Sequence, residues 1–154
     1  EHGAIQVWDS LAICEYLAEI APEAALWPAD RAARAFARAI SAEMHAGFAK
    51  LRQSLPMDFA RRSQAPEIGP ELAADIARVL AIWAEARARF GSGGPFLLGR
   101  FSIADAMYAP VCSRFTTYGV DLSGFGDGGS AEGYRRHMME LPQMRSWGDA
   151  AAEE

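Results

Sequence analysis

Between Ala29 and Leu55, the apolar residues Ala33, Phe36, Ala37, Ile40, Met44, Phe48, Leu51 and Leu55 fall on one stripe, and Arg31, Arg34, Arg38, His45 and Arg52 fall on another. That 3.6-residue spacing predicts one long amphipathic helix. Pro56 should end it, and Met57 to Gly69, rich in Arg, Ser, Gln and Pro, reads as a loop. A second long helix is expected from Pro70 to Phe90, with Leu72, Ile76, Val79, Leu80, Trp83 and Phe90 inward and alanines between them for close packing. Ile103 to about Tyr118 is apolar almost all round, the pattern of a helix buried at the centre of a bundle, with Pro110 as an expected kink. A helix near Ala131 to Leu141 and a short one after Pro142 complete the tail, where Gly148 and Glu153-Glu154 point to fraying. At the start, Ala4 to Trp8 is β-prone, and Ile13, Leu17 and Ile20 then recur at helical spacing, so a short strand should run into a helix. Five or six helices and little else are predicted.

Composition narrows the function. The 154 residues are 51% hydrophobic, enough for a real core. A formal net charge of −5 gives no electrostatic footprint for nucleic acid or an anionic membrane surface. Lys50 is the only lysine, so arginine carries nearly all the positive charge, which reads first as a codon bias of a GC-rich genome. Cys14 and Cys112 lie in apolar stretches without metal-type spacing, and with three histidines in all no metal site is expected. No signal peptide or membrane span is recognisable, and the expected location is cytoplasmic. No nucleophile elbow G-x-S-x-G is present, which argues against a serine hydrolase.

Two short segments carry the chemistry. Asp9-Ser10 stands at the junction of the expected strand and first helix, and both are good N-cap types. Free backbone N–H groups, a hydroxyl and a carboxylate there suit a ligand with an α-amino-acid end; the plain alternative is an ordinary helix cap. Ser102-Ile103-Ala104-Asp105 is a capping box at the head of the central helix, with the Ser102 hydroxyl facing the N–H of residue 105 and the Asp105 carboxylate returning to that of residue 102.

Val7-Trp8-Asp9-Ser10 with its helix, and Pro95-Phe96-Leu97-Leu98-Gly99-Arg100-Phe101 with the capping box after it, together resemble the glutathione transferase family, bacterial type, over essentially the whole chain. The resemblance implies a mainly α fold: a helical bundle preceded by the last strand and helix of a truncated thioredoxin-like α/β domain. It assigns residues 1–22 to that remnant, 23–28 to the linker and 29–154 to the helical second domain. It implies glutathione as co-substrate, held at its γ-glutamyl end by Asp9 and Ser10. The thiol-activating residue is then expected upstream of Glu1, and the isolated fragment is expected to be inactive.

By the same resemblance the partners are a small electrophile and a second copy of the chain. The electrophile pocket would use Met44, His45 and Phe48 on the first long helix and Arg114 and Tyr118 on the central one. Each has a plainer reading. Met44 and Phe48 lie on the core stripe, His45 lies on the polar one, and Arg114 could pair with a buried carboxylate instead of an anionic substrate. A module of the same family that binds ligands or partners without catalysis is the alternative function.

Overall fold

The computed structural model describes residues 1–59 and 61–153. Seven α-helices are found among them: α1 Ser10–Ile20, α2 Arg31–Ala46, α3 Ala49–Ser54, α4 Pro70–Phe90, α5 Ile103–Thr117, α6 Ser130–Glu140 and α7 Pro142–Glu153. The fold is mainly helical, as the periodicity requires.

Trp83 of α4 sits at the centre. It is fully buried and meets Tyr108, Phe115 and Tyr134 edge-on, at ring separations of 5.9, 5.9 and 4.8 Å. Leu72, Ile76, Val79 and Leu80 of α4 and Ala37, Ile40 and Met44 of α2 join one buried core, in which α2 packs against α5 and α4. The α5 helix runs unbroken through Pro110.

Its N-terminus carries the capping box with both reciprocal bonds formed. Asp105 does more than cap. Its Oδ2 accepts from the Ser102 N–H at 2.9 Å and the Ser102 hydroxyl at 3.1 Å, while Oδ1 accepts from the Leu97 N–H at 3.0 Å and the Tyr134 hydroxyl at 3.1 Å. One buried carboxylate therefore ties the loop before α5, the start of α5 and the middle of α6. Burial pushes its carboxyl above the ordinary value, against the pull of those donors.

Three sequence expectations need correction. The long helix from Ala29 to Leu55 is two helices. A Cβ on Gly47 would lie 2.8 Å from the Glu43 carbonyl oxygen, and Phe48 takes a left-handed conformation at φ 60°, so α2 stops and α3 starts afresh. Arg52 reaches back to cap the break, donating to the carbonyls of Met44 at 2.5 Å and Gly47 at 3.2 Å. The expected strand over Ala4 to Trp8 does not form; only a single His2–Ile5 bridge is present, because a strand needs a partner and the described residues supply none. Nor does Gly148 fray the tail. It lies within α7, and its missing side chain lets the Phe59 ring approach to 3.0 Å of where a Cβ would stand, with Phe59 against Trp147. The loop expected over Met57 to Gly69 has no regular element, with Ala60 outside the described residues, as is Glu154.

Glu15 holds α1 onto this bundle. Arg38 donates to it twice, at 2.9 and 3.0 Å, and the Trp27 indole N–H donates at 3.1 Å. The Arg38 hydrogen bonds hold the Glu15 carboxyl below its ordinary range. A depressed carboxyl contributes stability above the unfolded value that is lost as pH falls through the folded one. Hydrogen-exchange protection in α1, corrected for intrinsic rates, should therefore drop below about pH 4 while α4 and α5 keep theirs. Equal loss in all three helices would mean that α1 docking does not depend on this carboxylate.

Candidate functional site

The first turn of α1 is capped by Asp9, and Ser10 is the first helical residue. Asp9 Oδ1 accepts from the N–H groups of Leu11 at 2.9 Å and Ala12 at 3.2 Å, which satisfies two of the helix's free donors. The cap is held at φ 76°, a left-handed backbone unusual for a residue with a side chain. Its other oxygen, Oδ2, stands 2.8 Å from His45 Nε2 on α2. The Ala12 and Leu11 N–H groups, with His45, hold the Asp9 carboxyl below its ordinary value against a smaller opposing effect of desolvation. Among the described residues, neither the amide N–H nor the hydroxyl of Ser10 has a hydrogen-bond partner. The helix N-terminus thus presents an ionised carboxylate beside an open N–H and an open hydroxyl, on the protein surface. Such a set can receive a carboxylate and an ammonium borne on one carbon.

The other residues singled out from the sequence fall in different surroundings. His45 is exposed and joins the Asp9 site. Met44, Phe48 and Tyr118 are 3, 7 and 6% exposed and belong to the hydrophobic core. Arg114 is half-buried, and its Nη1 donates to the carbonyls of Leu55 and, at 3.3 Å, Arg52. It caps the C-terminal end of α3, and no carboxylate contacts it among the described residues. That is a third outcome beside the ion pair and the substrate contact. Burial, and then the Arg52 charge, push its guanidinium down from its ordinary value. Arg114→Met should accordingly cost about 1–2 kcal/mol in urea denaturation, since two backbone carbonyls lose a charged donor. An unchanged midpoint would show that these bonds contribute nothing.

Away from these residues lies an open apolar groove of about 530 Å³, lined by Phe96, Phe101, Met138, Leu141, Met144 and Trp147 among others. The sequence reading missed it, although Phe96 and Phe101 flanking the Leu97-Leu98-Gly99 turn, and the Met and Trp positions of α6 and α7, were a usable signal. The groove has no charged lining residue. Among the described residues no group of His, Cys, Asp and Glu could hold a metal ion, and no helix is long and apolar enough to cross a membrane. Cys14 and Cys112 are free thiols, the second wholly buried and pushed far up by that burial.

Comparison with curated proteins gives no match. The family model for the glutathione S-transferase C-terminal domain does match, over residues 69–147, just over half of the chain. The matched span runs from the residue before α4 into α7 and contains Trp83, the capping box and Tyr134, the residues that build the centre of the bundle. With the helical architecture and the capping box in place, the chain belongs to the glutathione S-transferase C-terminal domain family.

Proposed function

We propose that this chain serves a glutathione transferase, and that Asp9 and Ser10 hold the γ-glutamyl end of glutathione while its thiolate attacks a small electrophile. The observation that carries the reading is the open N–H and hydroxyl of Ser10 beside the ionised Asp9. The N–H, the hydroxyl and the helix N-terminus receive the ligand carboxylate, and Asp9 Oδ2 receives its ammonium. These contacts orient the thiol and leave its activation to another group.

In this reading residues 1–22 close a thioredoxin-like domain, 23–28 link it, and 29–154 form the helical domain. The outer face of α1 supports it: no residue of α1 is buried, and Ile13, Leu17 and Ile20 are 40, 43 and 47% exposed beside Trp8 at 80%. A row of large apolar side chains in water is a face made for covering. The thiol-activating group belongs to that covering domain, so residues Glu1 to Glu154 alone should conjugate a chloronitroaromatic no faster than free glutathione does. Turnover proportional to their concentration would place a catalytic group inside this chain. In this reading the electrophile pocket of the helical domain draws on His45 and Arg114, the two singled-out residues that are not buried, with Met44, Phe48 and Tyr118 as packing behind them. The family resemblance adds a homodimer in the cytoplasm.

Ser10→Ala in the protein expressed from its whole reading frame should weaken glutathione about tenfold in calorimetric titration, because a hydrogen bond to a charged group is lost. Undiminished affinity in a folded variant would return Ser10 to the role of an ordinary first-turn residue.

A further inference from the structure

We infer that the electrophile this chain takes is an organic anion, a small molecule bearing a carboxylate, and that Arg52 and Arg114 receive it beside the bound glutathione. The inference rests on the glutathione transferase reading and names the substrate class of the same site. The two guanidiniums follow one another away from the α1 N-terminus. His45, whose imidazole stands 2.8 Å from Asp9 Oδ2, offers its carbonyl oxygen to Arg52 Nη2 at 3.4 Å. Arg114 Nη1 in turn donates to the Arg52 carbonyl at 3.3 Å. Burial first, and then the Arg52 charge, push the Arg114 guanidinium down, so the two cations bear on each other.

Neither cation meets a carboxylate among the described residues. Acids of the surrounding elements are engaged elsewhere: Glu43 of α2 with Arg78, Glu71 of α4 with Lys50, Asp75 of α4 with the Leu51 N–H, and Asp58 with the Arg61 N–H. Helix-end carbonyls account for part of each arginine and not for the rest. Arg52 spends Nε and Nη2 on the end of α2, and Arg114 spends only Nη1. Among the described residues Nη1 of Arg52 and both Nε and Nη2 of Arg114 have no hydrogen-bond partner. The Nε and Nη2 pair is the edge by which a guanidinium takes a carboxylate through two parallel bonds. Arg38 and Arg78 grip Glu15 and Glu43 by that very edge in this chain. On the half-buried Arg114 it is left open for an incoming one.

Two more arginines add to the local charge. The Thr117 hydroxyl donates to the Asp58 carbonyl at 2.7 Å and the Ser63 N–H to the Thr117 carbonyl at 2.8 Å, which straps the stretch holding Arg61 and Arg62 to the end of α5, one turn beyond Arg114. The chain as a whole has 20 Asp and Glu against 15 Lys and Arg, so its overall field repels anions. A preference for one has to come from a local arrangement such as this.

The test offers the protein expressed from its whole reading frame a chlorodinitrobenzoate and the matching benzamide, each rate taken relative to the uncatalysed one. With both, the thiolate sulfur bonds to the ring carbon, chloride leaves with the electron pair of its bond, and the thiol proton passes to solvent. The two electrophiles differ in charge away from the reacting carbon. Wild type should favour the benzoate about tenfold in kcat/KM, and the advantage should shrink between about 20 and 200 mM salt. Arg114→Met should lower kcat/KM for the benzoate about tenfold more than for the benzamide, chiefly through KM. Equal wild-type rates, or equal losses with both electrophiles in the folded variant, overturn the inference and leave the transferase standing. So does a loss confined to KM for glutathione, which would give the guanidinium to the glycyl carboxylate of the tripeptide. Turnover of neither electrophile overturns the transferase reading, and this inference with it.

Discussion

Asp105→Ala is expected to destabilise the protein by about 3–5 kcal/mol, the largest effect of any single substitution at a polar position considered above. A helix cap alone is worth about 0.5–2 kcal/mol. Asp105 exceeds that because it accepts four hydrogen bonds with no exposure to water, and its removal strands the Leu97 N–H, the Ser102 N–H and the Tyr134 hydroxyl in the interior. Each buried donor left unpaired costs about 1–3 kcal/mol. Urea denaturation checks the size, and glutathione affinity per folded molecule should be unchanged. A variant that melts as the parent does but loses turnover would make Asp105 a functional group and not a structural one. There is a pH signature as well. Burial raises the folded carboxyl above its unfolded value, so the protonated form is favoured in the fold, and this contribution declines as pH rises from the ordinary carboxylate range through the raised one. Asp105→Asn should remove that decline.

Asp9→Asn is expected to weaken glutathione by about ten- to a hundredfold, since the ligand ammonium loses its counter-charge. Asparagine caps a helix as well as aspartate does, so α1 should stay folded and the loss should be confined to the charge. Circular dichroism and titration calorimetry together separate the two roles of this side chain. Loss of helix signal with no change in affinity per folded molecule would mean that Asp9 is only a cap.

The parts of the fold that were legible in the sequence are those set by periodicity. The α4 helix announces itself through Leu72, Ile76, Val79 and Trp83 at regular spacing, and α5 through a capping box before an apolar run. The break between α2 and α3 is invisible to that signal, since Phe48 and Leu51 continue the stripe. What stops the helix is a backbone event, the approach of Gly47 to the Glu43 carbonyl and the left-handed turn at Phe48. The stretch Ala4 to Trp8 shows the converse: its residues favour a strand, but pairing is a property of a neighbour. At the N-terminus of α1, the cap at Asp9 was readable because capping is local. The Asp9–His45 contact was not, because it is made between helices and leaves no spacing to detect. The carbonyl contacts of Arg114 were missed for a related reason. A search for a carboxylate or an anion overlooks backbone carbonyls, which have no sequence signature, and those are what it found at the end of α3.

The most direct test of the glutathione assignment is to follow the backbone amide signals of the isotope-labelled protein, expressed from its whole reading frame, while glutathione is added. The amides of Ser10, Leu11 and Ala12 and the imidazole of His45 should move most, and together, as the ligand carboxylate meets the α1 N-terminus and the ammonium takes the Asp9 oxygen. If those signals stay in place while the largest shifts fall along the apolar groove, at Phe96, Phe101, Met144 and Trp147, glutathione is not held by Asp9 and Ser10.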